Sequence, residues 1–132
     1  MRKIPMIARI LFGLIFFGSG LAGLLNLAPP PADMPENMQA FMAGMMATKY
    51  FFPLLKGTEV VCGAMLISGF YVPLALVVLA PIVLNILLTH IFMAPSGLVL
   101  AVILSALEIY LSFFVSPYKE SIHHIFVRKA KV

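Results

Sequence analysis

Charged residues are scarce in this 132-residue sequence. They make up only 11% of it, while 62% of the residues are hydrophobic. Soluble domains carry charge on about a quarter of their residues and are about half apolar. The mean hydropathy of +1.07 agrees with this contrast. The composition therefore excludes an ordinary soluble domain and predicts a single membrane domain over residues 1–132, with no room in it for a soluble enzyme domain.

Cysteine is nearly absent as well, because Cys62 is the only one. One cysteine excludes an intramolecular disulfide and a C-x-x-C redox pair. Cys62 lies in an apolar run, so we interpret it as a small, buried hydrophobic residue.

Four hydrophobic runs are each long enough to cross a membrane, which takes about 20 residues in a helix. Prolines or glycines interrupt the sequence between them, Pro29–Pro31 being the first such break. The predicted fold is all-α, a transmembrane four-helix bundle. Its predicted spans are residues 6–28, 51–70, 73–93 and 97–116, followed by a basic cytoplasmic tail at 117–132.

Most of the basic residues lie near the two ends of the chain, and the loops between the spans carry few. Lysine and arginine favour the cytoplasmic side, so we predict that both termini are inside (N-in/C-in) in a bacterial inner membrane. No basic face with interleaved aromatics is present, so we expect contact with the lipid bilayer and not with nucleic acid. The terminal basic residues are Arg2, Lys3, Lys119, Arg128, Lys129 and Lys131.

The first outward loop is predicted to contain a short amphipathic helix on the membrane surface. Asp33 and Glu36 form a capping-box pattern at its start. Apolar residues then recur at helical spacing. Thioethers can bind Cu(I), but we interpret these methionines as apolar contacts and predict no metal site. The apolar residues are Met34, Met38, Phe41, Met42 and Met45.

Each span carries one stripe of small or polar residues at three- or four-residue spacing. Helices in lipid associate through such stripes, so we predict that all four face a common axis. Homo-oligomer packing is the alternative use of these faces. The stripes are Arg9, Gly13, Phe16, Gly20 and Gly23; Lys56, Glu59 and Gly63; Pro81, Asn85 and Thr89; and Gly97, Ala101, Ser105, Glu108 and Ser112.

Two carboxylates lie deep in the predicted spans. At 1.5 Å per residue, Glu59 is about 12 Å and Glu108 about 17 Å from the outer boundary. Charged side chains at such depth are rare and are usually paired or functional. Two charged carboxylates would also repel each other, so we expect at least one to be protonated. Asn85 lies at the depth of Glu59, and we expect a hydrogen bond between them.

The other ionisable residues each have two interpretations. Lys56 either pairs with Glu59 within its helix or extends to the interface. Arg9 either contacts lipid phosphate or reaches inward to Glu108. His90 projects from a different face of its helix than Asn85. The candidate ligand-binding or buried polar residues are therefore Glu59, Asn85, His90, Glu108, Arg9 and Lys56. The structural alternative is a hydrogen bond within the bundle for the two glutamates, a helix–helix contact for Asn85 and lipid anchoring for Arg9.

Three segments in order resemble the DoxX-like family of small four-span bacterial membrane proteins. They run from Arg9-Ile-Leu-Phe-Gly13 to Leu21, from Tyr50 through Lys56-Gly-Thr-Glu59 to Gly63, and from Pro81-Ile-Val-Leu-Asn85 to His90. The resemblance implies that Arg9, Glu59, Asn85 and His90 are family-like polar positions. Its members include a subunit of a thiosulfate:quinone oxidoreductase, and others associate with redox-stress or metal-handling protein partners.

Three functions are consistent with these features. The first is a redox-associated subunit that binds quinone between spans through Glu59, Asn85 and His90. The second is a small proton-coupled transporter that uses Glu59 or Glu108. The third is an assembly or interaction partner without chemistry of its own. Facing histidines of the haem-binding kind, a cysteine pair and a flavin motif are all missing from the sequence, so we expect a non-catalytic subunit rather than a stand-alone enzyme.

Overall fold

The computed structural model describes residues 3–25 and 34–126. These ranges form helices and no strand. The helices are α1 (Lys3–Leu24), α2 (Glu36–Ala47), α3 (Phe51–Ser68), α4 (Val72–Phe92), α5 (Leu98–Phe113) and α6 (Tyr118–His123), with short 3-10 turns at Pro95–Gly97 and His124–Phe126.

Four helices are long and apolar enough to cross a membrane, as predicted: α1, α3, α4 and the continuous stretch Pro95–Phe113. The last of them ends three residues before the predicted boundary. Several predicted features lie outside the described residues. These are the end of the first span at 26–28, the break at Pro29–Pro31, the cap at Asp33, and the terminal residues Arg2, Arg128, Lys129 and Lys131.

Glycine and proline determine where α3 ends and α4 begins. Gly69 adopts a left-handed conformation, with φ +86, and its N–H donates to the carbonyl of Met65 at 2.9 Å. This is a usual way to close a helix, because glycine takes positive φ without steric cost. Pro73 then occupies the first turn of α4, where its missing N–H is not needed. The turn is short, so α3 and α4 are antiparallel neighbours.

The four long helices form a closed ring in the order α1, α3, α4, α5 and back to α1. The core between them is apolar, and within residues 3–25 and 34–126 its large, fully buried side chains are all hydrophobic. Many large apolar residues face outward, as expected when the surrounding solvent is lipid. The largest buried residues are Phe12, Phe16, Leu66, Leu76, Leu79 and Leu111.

The tightest contact in the ring joins α1 to α3 through glycines. A Cβ added at Gly63 would lie 2.6 Å from the backbone nitrogen of Phe17 and 2.8 Å from the carbonyl oxygen of Gly13. A Cβ added at Gly20 would lie 2.7 Å from the carbonyl oxygen of Lys56. Real Cβ atoms do not approach so closely, so only glycine permits this spacing. The predicted stripes of α1 and α3 therefore do meet.

The predicted stripe of α4 is wrong in two members, because Pro81 and Asn85 are both exposed. The buried face of α4 instead runs through Ala75, Leu76, Leu79 and Val83. Pro81 is two residues from both Leu79 and Val83, which places it about 200° from each around the helix. In α4, the buried face is therefore the one with the large apolar residues and not the one with the small-polar stripe.

We predict that Gly63→Ala lowers the free energy of unfolding by about 1–3 kcal/mol, because its new methyl group collides with the backbone of α1. The matched control is Gly57→Ala in the same helix, where an added Cβ meets nothing within 4 Å. This control is expected to be neutral, or more stable by up to about 1 kcal/mol from helix propensity. Unfolding in mixed detergent and SDS micelles measures both, and equal effects would contradict the close-contact argument.

Candidate functional site

A cavity of about 270 Å³ lies where α1, α3, α4 and α5 meet α2, and we name it the Glu59 cavity. Its wall is mostly apolar, with a few polar side chains from three helices. The polar residues are Ser19, Lys56, Glu59, Asn85, Thr89 and His90, and the apolar ones include Ile15, Phe16, Phe41, Phe52, Leu100 and Leu104. Four of the six candidate residues predicted from sequence thus share one cavity.

Glu59 is deeply buried and pairs with Lys56 one turn earlier. The Nζ atom of Lys56 lies 3.5 Å from Oε2 of Glu59, and their side chains are 19% and 4% exposed. The ammonium also lies 5.6 Å from the centre of the Phe52 ring, within cation–π range. The aliphatic part of Lys56 packs against Gly23. The intrahelical pair expected from sequence is present, and it compensates a carboxylate that would otherwise lack a counter-charge.

Asn85 reaches the same cavity but does not hydrogen-bond to Glu59. Among residues 3–25 and 34–126 no hydrogen bond joins Asn85 to Glu59, whose ionic partner there is Lys56. Equal depth in the membrane places two side chains at one level but does not fix their rotation around the helix axes. Asn85 therefore presents its amide to the cavity.

His90 is held in a defined orientation at the end of α4. Its Nδ1 lies 2.8 Å from the carbonyl oxygen of Ile86. A carbonyl oxygen only accepts, so Nδ1 carries the proton and donates it. The other edge of the ring, with Nε2, packs against Gly97, where an added Cβ would collide with it. His90 and Asn85 lie on different faces of α4, as predicted, yet the cavity borders enough of this helix to include both.

Helix α2 contributes a wall that the sequence interpretation had not assigned. None of its residues is buried in the structure. Nevertheless Met38, Phe41, Met42 and Met45 line the Glu59 cavity. Their helical spacing was visible in the sequence, but it did not show which surface they would cover. The apolar side of α2 lies over the polar residues of the cavity.

Glu108 lines a different cavity, of about 340 Å³, between α4, α5 and the segment that follows them, and we name it the Glu108 cavity. Oε1 of Glu108 accepts a hydrogen bond from Ser112 at 3.3 Å. Oε2 is buried and has no partner in the described residues. The two deep carboxylates are thus placed in separate cavities that share no lining residue.

Arg9 does not reach Glu108, so that alternative is wrong. Its Nη1 donates to the hydroxyl of Tyr118 at 3.3 Å, and its guanidinium lies beside Gly69 in the α3–α4 turn. Arg9 therefore connects the start of α1 to α6, at the end of the bundle opposite to Lys56. Tyr118 was not singled out from the sequence, because 109 positions separate it from Arg9.

Within the described residues, no three His, Cys, Asp or Glu side chains come together as ligands for a metal ion. The polar groups of the Glu59 cavity are instead suited to hydrogen bonding. Lys56 and Asn85 offer N–H donors, while Glu59 and the side-chain carbonyl of Asn85 offer acceptors. Such a site fits an uncharged, mostly apolar ligand with a small number of oxygen atoms.

The ring of apolar helices defines the chain as a small multi-pass membrane protein. In a comparison with known protein families, residues 4–91 match the family DoxX, and the chain belongs to this family. The matched range includes Arg9, Lys56, Glu59, Asn85 and His90. Searches of curated proteins and of solved structures return no match for this chain.

We predict that Lys56 and Glu59 depend on each other energetically. Removing only the ammonium in Lys56→Met leaves the buried carboxylate without its counter-charge, whereas the double variant Lys56→Met, Glu59→Gln removes both charges. A double-mutant cycle of unfolding free energies should give a coupling of about 1–3 kcal/mol. The exposed Lys119 provides the control, because Lys119→Met should not couple to Glu59→Gln. Additive effects at positions 56 and 59 would show that the pair contributes nothing to stability.

Proposed function

We propose that the Glu59 cavity binds the head group of a quinone and that this DoxX-family protein is a redox-associated membrane subunit. The observation that carries the proposal is the convergence of Lys56, Glu59, Asn85 and His90 on one apolar cavity between spans. Small-molecule sites commonly combine an apolar wall with a few fixed polar groups.

The chemistry of a quinone matches both parts of this cavity. Its flat ring needs an apolar slot, for which Phe16 and Phe52 contribute aromatic surface. Its carbonyl oxygens need donors, which Lys56 and Asn85 provide. The hydroxyl groups of the reduced form need acceptors, and here the Glu59 carboxylate and the side-chain carbonyl of Asn85 are suitable, with His90 beside them. The same residues can therefore hold either oxidation state.

The residues of the chain indicate which tasks fall to the protein, to the quinone and to a partner. A bound quinone supplies the redox chemistry, and a protein partner supplies or receives the electrons. The residues of this chain bind and orient the ring, and α2 covers the cavity. The protein acts in this proposal as a subunit that is not catalytic by itself, and the partner is a redox or metal-handling protein.

The first test is solvent extraction of the purified protein, followed by chromatography for quinone. We predict about one quinone or quinol per wild-type chain and, for protein purified under reducing conditions, at least a tenfold loss of quinol in Glu59→Gln, since a hydrogen bond to a charged group contributes about 1.5–3 kcal/mol. Glu108→Gln is the matched control, because it alters a buried carboxylate in the other cavity and should keep its quinone.

Absence of quinone from the wild-type protein would overturn the redox proposal. The two other functions would then be separated by further measurements. A proton-coupled transporter releases protons in response to a substrate, whereas an assembly partner forms a stable complex with another protein and shows no such release. Equal loss of quinone in both glutamine variants would contradict the assignment to the Glu59 cavity.

We also propose that both termini face the cytoplasm of a bacterial inner membrane. The supporting observation is that Lys3, Arg9 and Lys119 lie at one end of the ring, which agrees with the preference of basic residues for the inside. In this orientation α2 rests on the outer surface, and the Glu59 cavity lies in the outer half of the membrane.

Labelling of single cysteines tests this orientation. Starting from Cys62→Ser, we predict that Asn37→Cys in α2 reacts with a membrane-impermeant maleimide on intact spheroplasts. His124→Cys should react only after the membrane is opened. Both positions are exposed, so accessibility to solvent is matched between the two. The reverse pattern would place the termini outside.

A further inference from the structure

We propose that the Glu108 cavity is a second ligand site, which binds a lipophilic molecule carrying one hydroxyl group. In this site the hydroxyl lies on the Glu108 carboxyl, and the hydrocarbon part fills the apolar space between α4 and α5. The inference is independent of the quinone proposal, because the two cavities have no lining residue in common.

The first support is a buried polar atom that lacks a partner. Glu108 is only 7% exposed, and it lines the cavity. Ser112 donates to Oε1, but Oε2 has no hydrogen bond within the described part of the chain. Most buried polar atoms are paired with protein or with an ordered small molecule. Oε2 is therefore the atom in this cavity to which a bound ligand would hydrogen-bond.

The second support is that the other polar side chains of the cavity wall, Ser105 and Ser112, already donate hydrogen bonds elsewhere. Ser105, which also lines the cavity, donates to the carbonyl of Ala101 at 2.9 Å. Ser112, the other hydroxyl of this wall, donates to Oε1 of Glu108 at 3.3 Å. Neither serine can turn to Oε2 without breaking the hydrogen bond that it now makes. The wall of the cavity therefore leaves Oε2 available to a molecule bound in it.

The chemistry of the cavity selects a hydroxyl over other polar groups. A hydroxyl both donates and accepts, so it can pair with a carboxylate or with a carboxylic acid. An ammonium group would bring a second charge into a cavity whose remaining wall is nearly all apolar, and burying an ion there is costly. An alkane would leave Oε2 unpaired.

The size of the cavity sets the size of the ligand. An engineered apolar cavity of about 150 Å³ holds one benzene, so 340 Å³ accommodates a ligand of about a dozen heavy atoms. The wall includes Leu76, Val83, Leu84 and Ile109 from the spans. Ile125 and Phe126, which are exposed, form its end after α6 and would be covered by the hydrocarbon chain.

The test uses the full chain in phospholipid nanodiscs with a photoreactive probe, a ten-carbon alcohol that bears a diazirine. Mass spectrometry maps the labelled peptides. We expect labelling of α4, α5 and residues 118–126. Unlabelled 1-decanol should compete at about one-tenth of the bilayer mole fraction that decane requires, which is the effect expected of one hydrogen bond.

Two variants separate the role of the carboxyl from that of the cavity shape. Glu108→Leu should abolish the preference for decanol over decane, while Glu108→Gln, which can still donate and accept, should retain it. Quinone content reports separately on the Glu59 cavity and should be unchanged in Glu108→Gln. Equal competition by decanol and decane in the wild type would mean that the cavity takes only hydrocarbon chains, and this would overturn the proposal. Labelling confined to other helices would overturn it as well.

Discussion

The close approach of α1 and α3 is the constraint on which the rest of the structure depends. Lipid gives helices no hydrophobic reason to associate, so close packing must provide the attraction. Here Gly13, Gly20 and Gly63 bring two backbones into contact. The position of a Cβ at Gly20 would be only 3.0 Å from Cβ of Glu59. The contact that stabilises the ring therefore also positions the buried carboxylate, and any larger residue would move Glu59 away from α1.

Because α1 and α3 are antiparallel, their polar groups lie at opposite ends of the ring. Gly13 lies beside Gly63, Gly20 beside Lys56, and Arg9 beside Gly69. Arg9 and Tyr118 consequently meet at one end, and Lys56 and Glu59 lie at the other. Helix α5 divides the interior further. Leu104 faces the Glu59 cavity and the adjacent Ser105 faces the Glu108 cavity, which is the result of the 100° step between successive helical residues.

Structural features that depend on composition, or on residue spacing within one helix, could be predicted from the sequence. Hydropathy gave the four spans, glycine spacing gave the contact faces of α1 and α3, and the three-residue separation of Lys56 and Glu59 gave their pairing. Contacts between helices were harder to predict. The expected bond from Asn85 to Glu59 failed because depth does not define rotation, and the contact of Arg9 with Tyr118 joins distant parts of the chain. The position of α2 at the Glu59 cavity also depends on contacts between helices, which the residue spacing within α2 does not define.

Membership of the DoxX family supports a role for the Glu59 cavity but not for the Glu108 carboxyl. The match to DoxX ends at residue 91, so it includes Glu59, Asn85 and His90 but neither Glu108 nor Ser112. The redox associations that the family resemblance implies therefore support only the Glu59 cavity. The Glu108 cavity rests on its own evidence, a buried oxygen without a partner in a mostly apolar space. Helices α4 and α5 separate the two cavities, so a ligand in one does not require a ligand in the other. Evidence against one proposal is therefore not evidence against the other.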